Sequence, residues 1–448
     1  MGRRGIKALN QIEPVPRALA ALLDADARTF GVHGMAVAVV TPGRCAFHLF
    51  GVEAPESTRL VGTDTWFSLA SVAKHATALA TLALAQEGLV DITAPIGRYL
   101  GDLPPAWADR GIDSLMRHTS GLPEYLSHVE DVNVPDRRDT FLARYGGLEP
   151  VFAEGEGWLY SNTNYILLAF LVAHVRKTSF AADVQRIVDR LEGEGIAIAS
   201  PRWTREANLG RLGPRGRDEA SMRREVIGDG DLSLTVLGAA TWLEALLSGA
   251  VLAEPWRSRM WSPALLASGR PAPYGCGWFV ERIGNEPICH HAGHYDGWSA
   301  MAYLAPARGA GVIAMCNLAP GNTRAMRYLA QKSLEAMAPG STPLALAPIA
   351  DDVPALTATA RTQLLRDGDV LDRRCFADEL LRVASRGGAV RNVINVWAGS
   401  APLRFDLVEE QRAATHRFRR YRLAYPERTE HLLVGTTPED TIFWAWPL

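Results

Sequence analysis

The sequence predicts an α+β protein: one antiparallel sheet flanked by helices, including an all-helical part, and then a small C-terminal α+β module. Three observations carry this. Strand-like runs stand at both ends of the first 337 residues with long apolar helix patterns between them, so both ends of that segment supply one sheet and the helices cover it. Residues 338–354, rich in proline, read as a linker. Beyond them helix patterns come first and strand patterns second. The chain has 448 residues, 48% hydrophobic and 21% charged, which suits two or three domains and excludes global disorder. The expected division is 1–337, the linker, and 355–448.

Taken in order, residues 16–29 place Leu19, Leu22 and Leu23 at helical spacing and read as an amphipathic helix. Met35 to Val40 and Cys45 to Phe50 flank Thr41-Pro42-Gly43-Arg44, the pattern of a hairpin. From Ser71 to Gln86 Ala, Leu, Thr and Val dominate without Gly or Pro, which predicts a helix running to about Gly88. Residues 124–157 are polar and rich in Gly and Pro, as expected of a surface excursion bordering a cleft. Helix returns over Tyr165 to Val175, residues 193–230 are mixed, and Ser233 to Leu247 is apolar at helical spacing. Strands are expected at Gly277 to Arg282, Pro287 to His291, Trp298 to Leu304 and Gly311 to Cys316, and a helix from Thr323 to Met337 closes the unit. In the C-terminal module helices are expected over Ala355 to Arg366 and Asp372 to Ala384, and strands over Val390 to Val396, His416 to Tyr425 and Thr429 to Gly435.

At the mouth of the Ser71 helix, Ser71 and Lys74 are three residues apart and share one face, which puts the amine within reach of the hydroxyl. The helix N-terminus also offers unpaired N–H groups to a developing oxyanion. Of 47 Lys plus Arg only four are Lys, at positions 7, 74, 177 and 332. Arginine cannot give up its proton and a desolvated lysine can, so chemistry accounts for Lys74 better than charge does.

Net charge is −2, which gives no electrostatic case for nucleic acid or a membrane as partner. The basic start, Met1 to Lys7, leads into Asn10-Gln11-Ile12-Glu13-Pro14 without the apolar core of a signal peptide, and no run approaches eighteen apolar residues. Five scattered cysteines without C-x-x-C spacing fit a reducing compartment. The expectation is a cytoplasmic protein acting on a small molecule or short peptide; oligomeric state is not legible.

Two further motifs decide the chemistry. Tyr160-Ser161-Asn162 is the single Y-x-N, and His291-Ala292-Gly293 the single H-x-G. With the single S-x-x-K, in this order and at these separations, they resemble the serine β-lactamase and penicillin-binding-protein superfamily, nearest its class C β-lactamase, D-aminopeptidase and esterase branch. The resemblance spans roughly residues 15–337 and takes in Met116 to Pro123, Gly228 to Leu232 and Tyr274 to Trp278. It implies a β-lactamase/transpeptidase-like fold without metal or cofactor. It also implies that Ser71 is acylated, that Lys74 tunes its proton, and that Tyr160, flanked by cations, is general base and then general acid. Asn162 would orient Lys74 and bind a substrate amide. His291, where many relatives have Lys, would meet Tyr160 or a substrate carboxylate. Gly293 and His294 would border substrate, with the N–H groups of Ser71 and His294 as the oxyanion hole. His294 and Asp296 depart from the family pattern and suggest a narrower, more polar cleft.

A metal site from His290, His291, His294 and Asp296 is disfavoured because the spacing is too compressed, and no G-x-S-x-G supports an α/β-hydrolase. In the C-terminal module Arg417, Arg419, Arg420 and Arg422 suggest a nucleic-acid strip, but Glu409, Glu410, Glu427 and Glu430 favour a solvated sheet face. Helices followed by a curved sheet are similar to the folds typified by nuclear transport factor 2. The functional expectation is a serine hydrolase of a small ester or amide. The alternatives are an acyl transferase or peptide cyclase, and a slowly acylated binding protein.

Overall fold

The computed structural model describes residues 12–54, 57–128, 137–191, 194–198, 228–295, 297–317, 323–365, 372–378, 380–381, 383 and 401–447. Its main sheet draws β1 (Ile12–Pro14), β2 (Gly34–Thr41) and β3 (Arg44–Gly51) from the start of the chain. From far along it come β7 (Phe279–Ile283), β8 (Glu286–Tyr295), β9 (Trp298–Ala305) and β10 (Ala310–Cys316), in the order β1-β3-β2-β10-β9-β8-β7. Every pairing is antiparallel except β1 on β3, an edge addition that three residues are too few to announce. β2 meets β10 with Ala38 opposite Ile313, which joins the two ends of the segment as expected.

Alternation sorts the side chains. Val37, Val39, Met301, Val312 and Ala314 pack under the helices Arg17–Thr29 and Thr323–Met337. Ala36, Ala38, Ala300, Ala302 and Ile313 face the larger core built by helices Lys74–Gln86, Asn162–Arg176, Phe180–Arg190 and Val236–Ser248. With both faces covered, β2 is apolar along nearly its whole length. No single helix among the described residues is long and apolar enough to cross a membrane.

Several expectations shift. The helix read from Ser71 divides into a 3₁₀ turn, Ala70–Ala73, and an α-helix starting at Lys74. The Tyr165 helix starts earlier, at Asn162, and β8 runs on to Tyr295. Residues 124–157 are not purely an excursion: they include a helix Arg138–Tyr145, and Tyr125, Phe141 and Tyr145 are buried in the main core. Three short strands, β4 (Phe67–Ser68), β5 (Ile196–Ile198) and β6 (Leu232–Leu234), form a small sheet ordered β4-β6-β5 that hydrophobic pattern did not announce.

The C-terminal module is a four-stranded antiparallel sheet of β11 (Arg404–Arg412), β12 (Arg417–Ala424), β13 (Thr429–Thr436) and β14 (Ile442–Pro447), with helix Pro354–Leu364 packed on it. β12 and β13 match the expected strands, whereas Val390 to Val396 lies outside the described residues. The stretch from Asp372 opens with a 3₁₀ turn, Arg373–Cys375, in place of a continuous helix.

Two of the four arginines in the run do not lie on a solvated face. Arg419 is 0% and Arg420 1% exposed. Arg419 donates to Glu410 at 2.6 Å and to Asp351 at 2.6 Å. Arg420 donates to Glu409 at 2.9 Å, to the Arg282 carbonyl at 2.6 Å and to the buried carboxylate of Glu281 on β7. Buried charge of this kind is tolerated only when paired, and here the pairing clamps the C-terminal sheet to the edge of the main one.

Candidate active site

Ser71 sits on a pinned turn. β4 pairs with β6, and Leu69 N–H continues the ladder to Leu232 O at 2.8 Å. The chain then bends through Ala70 at φ +45°, a region alanine seldom adopts, into the 3₁₀ turn. In a 3₁₀ turn residues i and i+3 eclipse, which explains why Lys74 Nζ lies 3.1 Å from Ser71 Oγ. The amine also donates to the Asp229 carbonyl at 2.7 Å. Lys74 is 0% exposed, and burial pulls its pKa down to about 8 against the opposing pull of Asp229, Glu124 and Asp231.

Tyr160 stands beside this pair, its ring centre 5.0 Å from Lys74 Nζ. Burial, reinforced by the carboxylates of Glu124 and Asp229, holds its phenol well above the usual tyrosine range. Among the described residues the expected flanking cations reduce to Lys74. His118 and His291, the other basic groups beside the ring, are both pushed well below the normal histidine range by burial.

Asn162 does not orient Lys74. Its backbone N–H and Nδ2 both donate to Glu124 Oε2, at 2.7 and 3.0 Å. Asn162 opens its helix, so its own N–H has no intrahelical acceptor and the neighbouring carboxylate takes it. Lys74 uses the Asp229 carbonyl instead.

His291 has no nitrogen left for Tyr160 or for a substrate carboxylate. Nδ1 lies 2.7 Å from the Ala292 carbonyl and must carry the proton, so Nε2 accepts from Tyr274 O–H at 2.8 Å. Its neighbour His290 points to the other sheet face, stacked on Phe279 and Tyr303, so adjacent histidines diverge instead of converging on a metal.

Gly293 is a packing necessity. A Cβ there would stand 1.9 Å from the Leu69 carbonyl, so only glycine lets β8 press against the turn before Ser71. β7 ends its pairing opposite His290, which leaves the His291 to Tyr295 edge of β8 beside that turn. His294 is exposed, with Nδ1 3.3 Å from Ser299 Oγ; Asp296 lies outside the described residues.

Sequence reasoning passed over Glu124 and Tyr274. Glu124 directly follows the quoted Met116 to Pro123 stretch, and Tyr274 opened another stretch but received no role. The signal available was their place beside motif residues.

A model of the family described as Beta-lactamase matches residues 19–335, which include Ser71, Lys74, Tyr160 and His291. The chain belongs to the Beta-lactamase family. Among its relatives, the Beta-lactamase family chain is 28% identical over 291 residues to Penicillin-binding protein 4* of Bacillus subtilis (strain 168). The match covers 57% of this chain and 61% of that relative, so the chain spans about six-tenths of its length. Solved structures agree on the Beta-lactamase family fold. D-amino acid amidase from Ochrobactrum anthropi SV3 superposes with a TM-score of 0.58 at 22% identity, over 71% of this chain and 97% of that one. The octameric penicillin-binding protein homologue from Pyrococcus abyssi gives 0.59 at 16%, over 93% and 90%.

Proposed function

We propose that the chain is a serine hydrolase of small esters or amides, and that Ser71 carries the acyl group between two half-reactions. One observation carries the reading: a fully buried lysine, its pKa drawn down to about 8, lies 3.1 Å from the hydroxyl of the serine at the mouth of its helix. A neutral Lys74 takes the Ser71 proton as Oγ bonds to the substrate carbonyl carbon. Tyr160, a phenol up to that point, passes its proton to the departing oxygen or nitrogen as the carbon–leaving-group bond breaks. Water then attacks the acyl carbon and gives a proton to the Tyr160 phenolate, and as the acyl–Oγ bond breaks protonated Lys74 returns its proton to Ser71 Oγ. This reverses the order expected for Tyr160, which is acid first and base second, and makes Lys74 the base of acylation.

The backbone N–H groups of Ser71 and His294 are the proposed oxyanion donors, favoured by the open β8 edge beside the Ser71 turn. A neutral His291 bonded to Tyr274 supplies no cation for a substrate carboxylate, which favours acyl donors without one.

The test is turnover of p-nitrophenyl acetate. Ser71→Ala and Lys74→Arg should each lower kcat/KM by about 10³-fold or more, because residues acting as one unit fail together. Wild-type rates in Ser71→Ala would refute the reading.

A further inference from the structure

Beside Tyr160 the two parts of the chain enclose a cavity of about 430 Å³. Tyr160 and Asn162 form one side; Val383, Phe443, Trp444 and Trp446, from the C-terminal module, form the other. These four lie beyond residues 19–335, so the family-matched segment does not supply this wall.

The wall is held in place. Trp446 stacks on Phe279 with ring centres 4.3 Å apart, and Phe279 lies parallel to Tyr160 at 6.3 Å and 3°. The Arg420 clamp to Glu281 and Arg282 fixes β12 to β7, and Glu409 accepts Gly284 N–H at 2.7 Å. The surface offered to a ligand is apolar and aromatic. Among the described residues the one charged side chain on the lining is Glu124, whose oxygens already accept from Asn162 and from Leu126 N–H.

We propose that this cavity receives an uncharged, ring-bearing group of the substrate, so that Phe443, Trp444 and Trp446 make the C-terminal sheet the specificity wall of the active site. The inference rests on the Ser71 reading for its kinetic part and is independent of it for binding. A space of this size accommodates a phenyl ring with a short alkyl arm. Stacking and desolvation reward such a group, while a carboxylate would meet Glu124 and an apolar wall.

The first experiment is isothermal titration calorimetry of the full-length Ser71→Ala protein, which cannot turn substrate over, with 4-phenylbutan-2-one and with butan-2-one. The ring compound should bind roughly tenfold or more tighter. Val383→Phe, which narrows the cavity from the C-terminal wall, should cut that advantage several-fold; if its circular dichroism shows a misfolded chain, Leu266→Phe narrows the same cavity from another lining position. In the protein with Ser71 intact, the ratio of kcat/KM for p-nitrophenyl 4-phenylbutyrate to that for p-nitrophenyl acetate should exceed one. It should fall about fivefold or more on narrowing. Equal binding of the two ketones, or an unaltered preference in a folded variant with the narrowed cavity, overturns the inference whatever Ser71 does. Acetate turnover surviving in Ser71→Ala overturns the reading of Ser71 and leaves the binding result standing.

Discussion

Replacing Lys74 by methionine should change how the protein's stability depends on pH, by an amount set by the buried amine. Burial lowers the Lys74 pKa from 10.5 to about 8, although Asp229, Glu124 and Asp231 pull the other way. A base with a lowered folded-state pKa binds fewer protons folded than unfolded, so its charged form opposes folding. The opposition is complete below pH 8, fades between 8 and 10.5, and is gone above. Two and a half units at about 1.4 kcal/mol each make it roughly 3 kcal/mol at pH 7 and under about 1 kcal/mol at pH 10. Methionine fills a similar volume without charge. It forfeits the bonds to Asp229 O and Ser71, a loss that does not vary with pH. The unfolding free energy of wild type minus that of Lys74→Met should therefore rise by about 2 kcal/mol from pH 7 to pH 10. Urea titrations of both proteins at the two pH values measure it, and the double difference cancels the titrating groups that do not sense Lys74. A gap constant to within about 0.5 kcal/mol would refute the argument that Lys74 is buried at electrostatic cost.

Three further outcomes follow from the same geometry. Because the neutral amine is the active form, kcat/KM should climb with pH and level off above about 8, with no descending limb below pH 10 since Tyr160 is held above the usual phenol range; a pH–rate profile checks both. Gly293→Ala should push β8 off the Leu69 carbonyl, lowering stability by about 1–3 kcal/mol in thermal unfolding and slowing acylation. Arg420→Ala removes the guanidinium that Glu281 and Glu409 share and should cost about 3–5 kcal/mol, whereas Arg420→Met combined with Glu281→Met should recover most of it.

What could be read in the sequence divides along a physical line. The Ser71 and Lys74 pairing was legible because three residues on one turn meet whether that turn is α or 3₁₀; which of the two it is depends on Leu69 bonding Leu232, 163 positions away. The main sheet was legible because β2 and β10 are apolar runs bounded by turns, while β4, β5 and β6 are too short to carry a period. Residue identities marked Asn162 and His291, yet their partners, Glu124 and Tyr274, are tertiary choices that local pattern does not hold. Arg419 and Arg420 misled for the same reason. Adjacent strand residues face opposite ways, and both directions proved to be buried against acids from other segments, Asp351 on one side and Glu281 on the other.

The central claim, that Ser71 carries the acyl group, is tested most directly by intact-mass spectrometry. Wild type and Ser71→Ala would be incubated with a fluorophosphonate, an activated ester and a penicillin. The account predicts a one-to-one adduct from the fluorophosphonate on wild type and none on Ser71→Ala, a transient adduct from the ester, and weaker labelling by the penicillin, whose carboxylate meets a neutral His291. Equal labelling of both proteins, or none of the wild type by any of the three reagents, would contradict it.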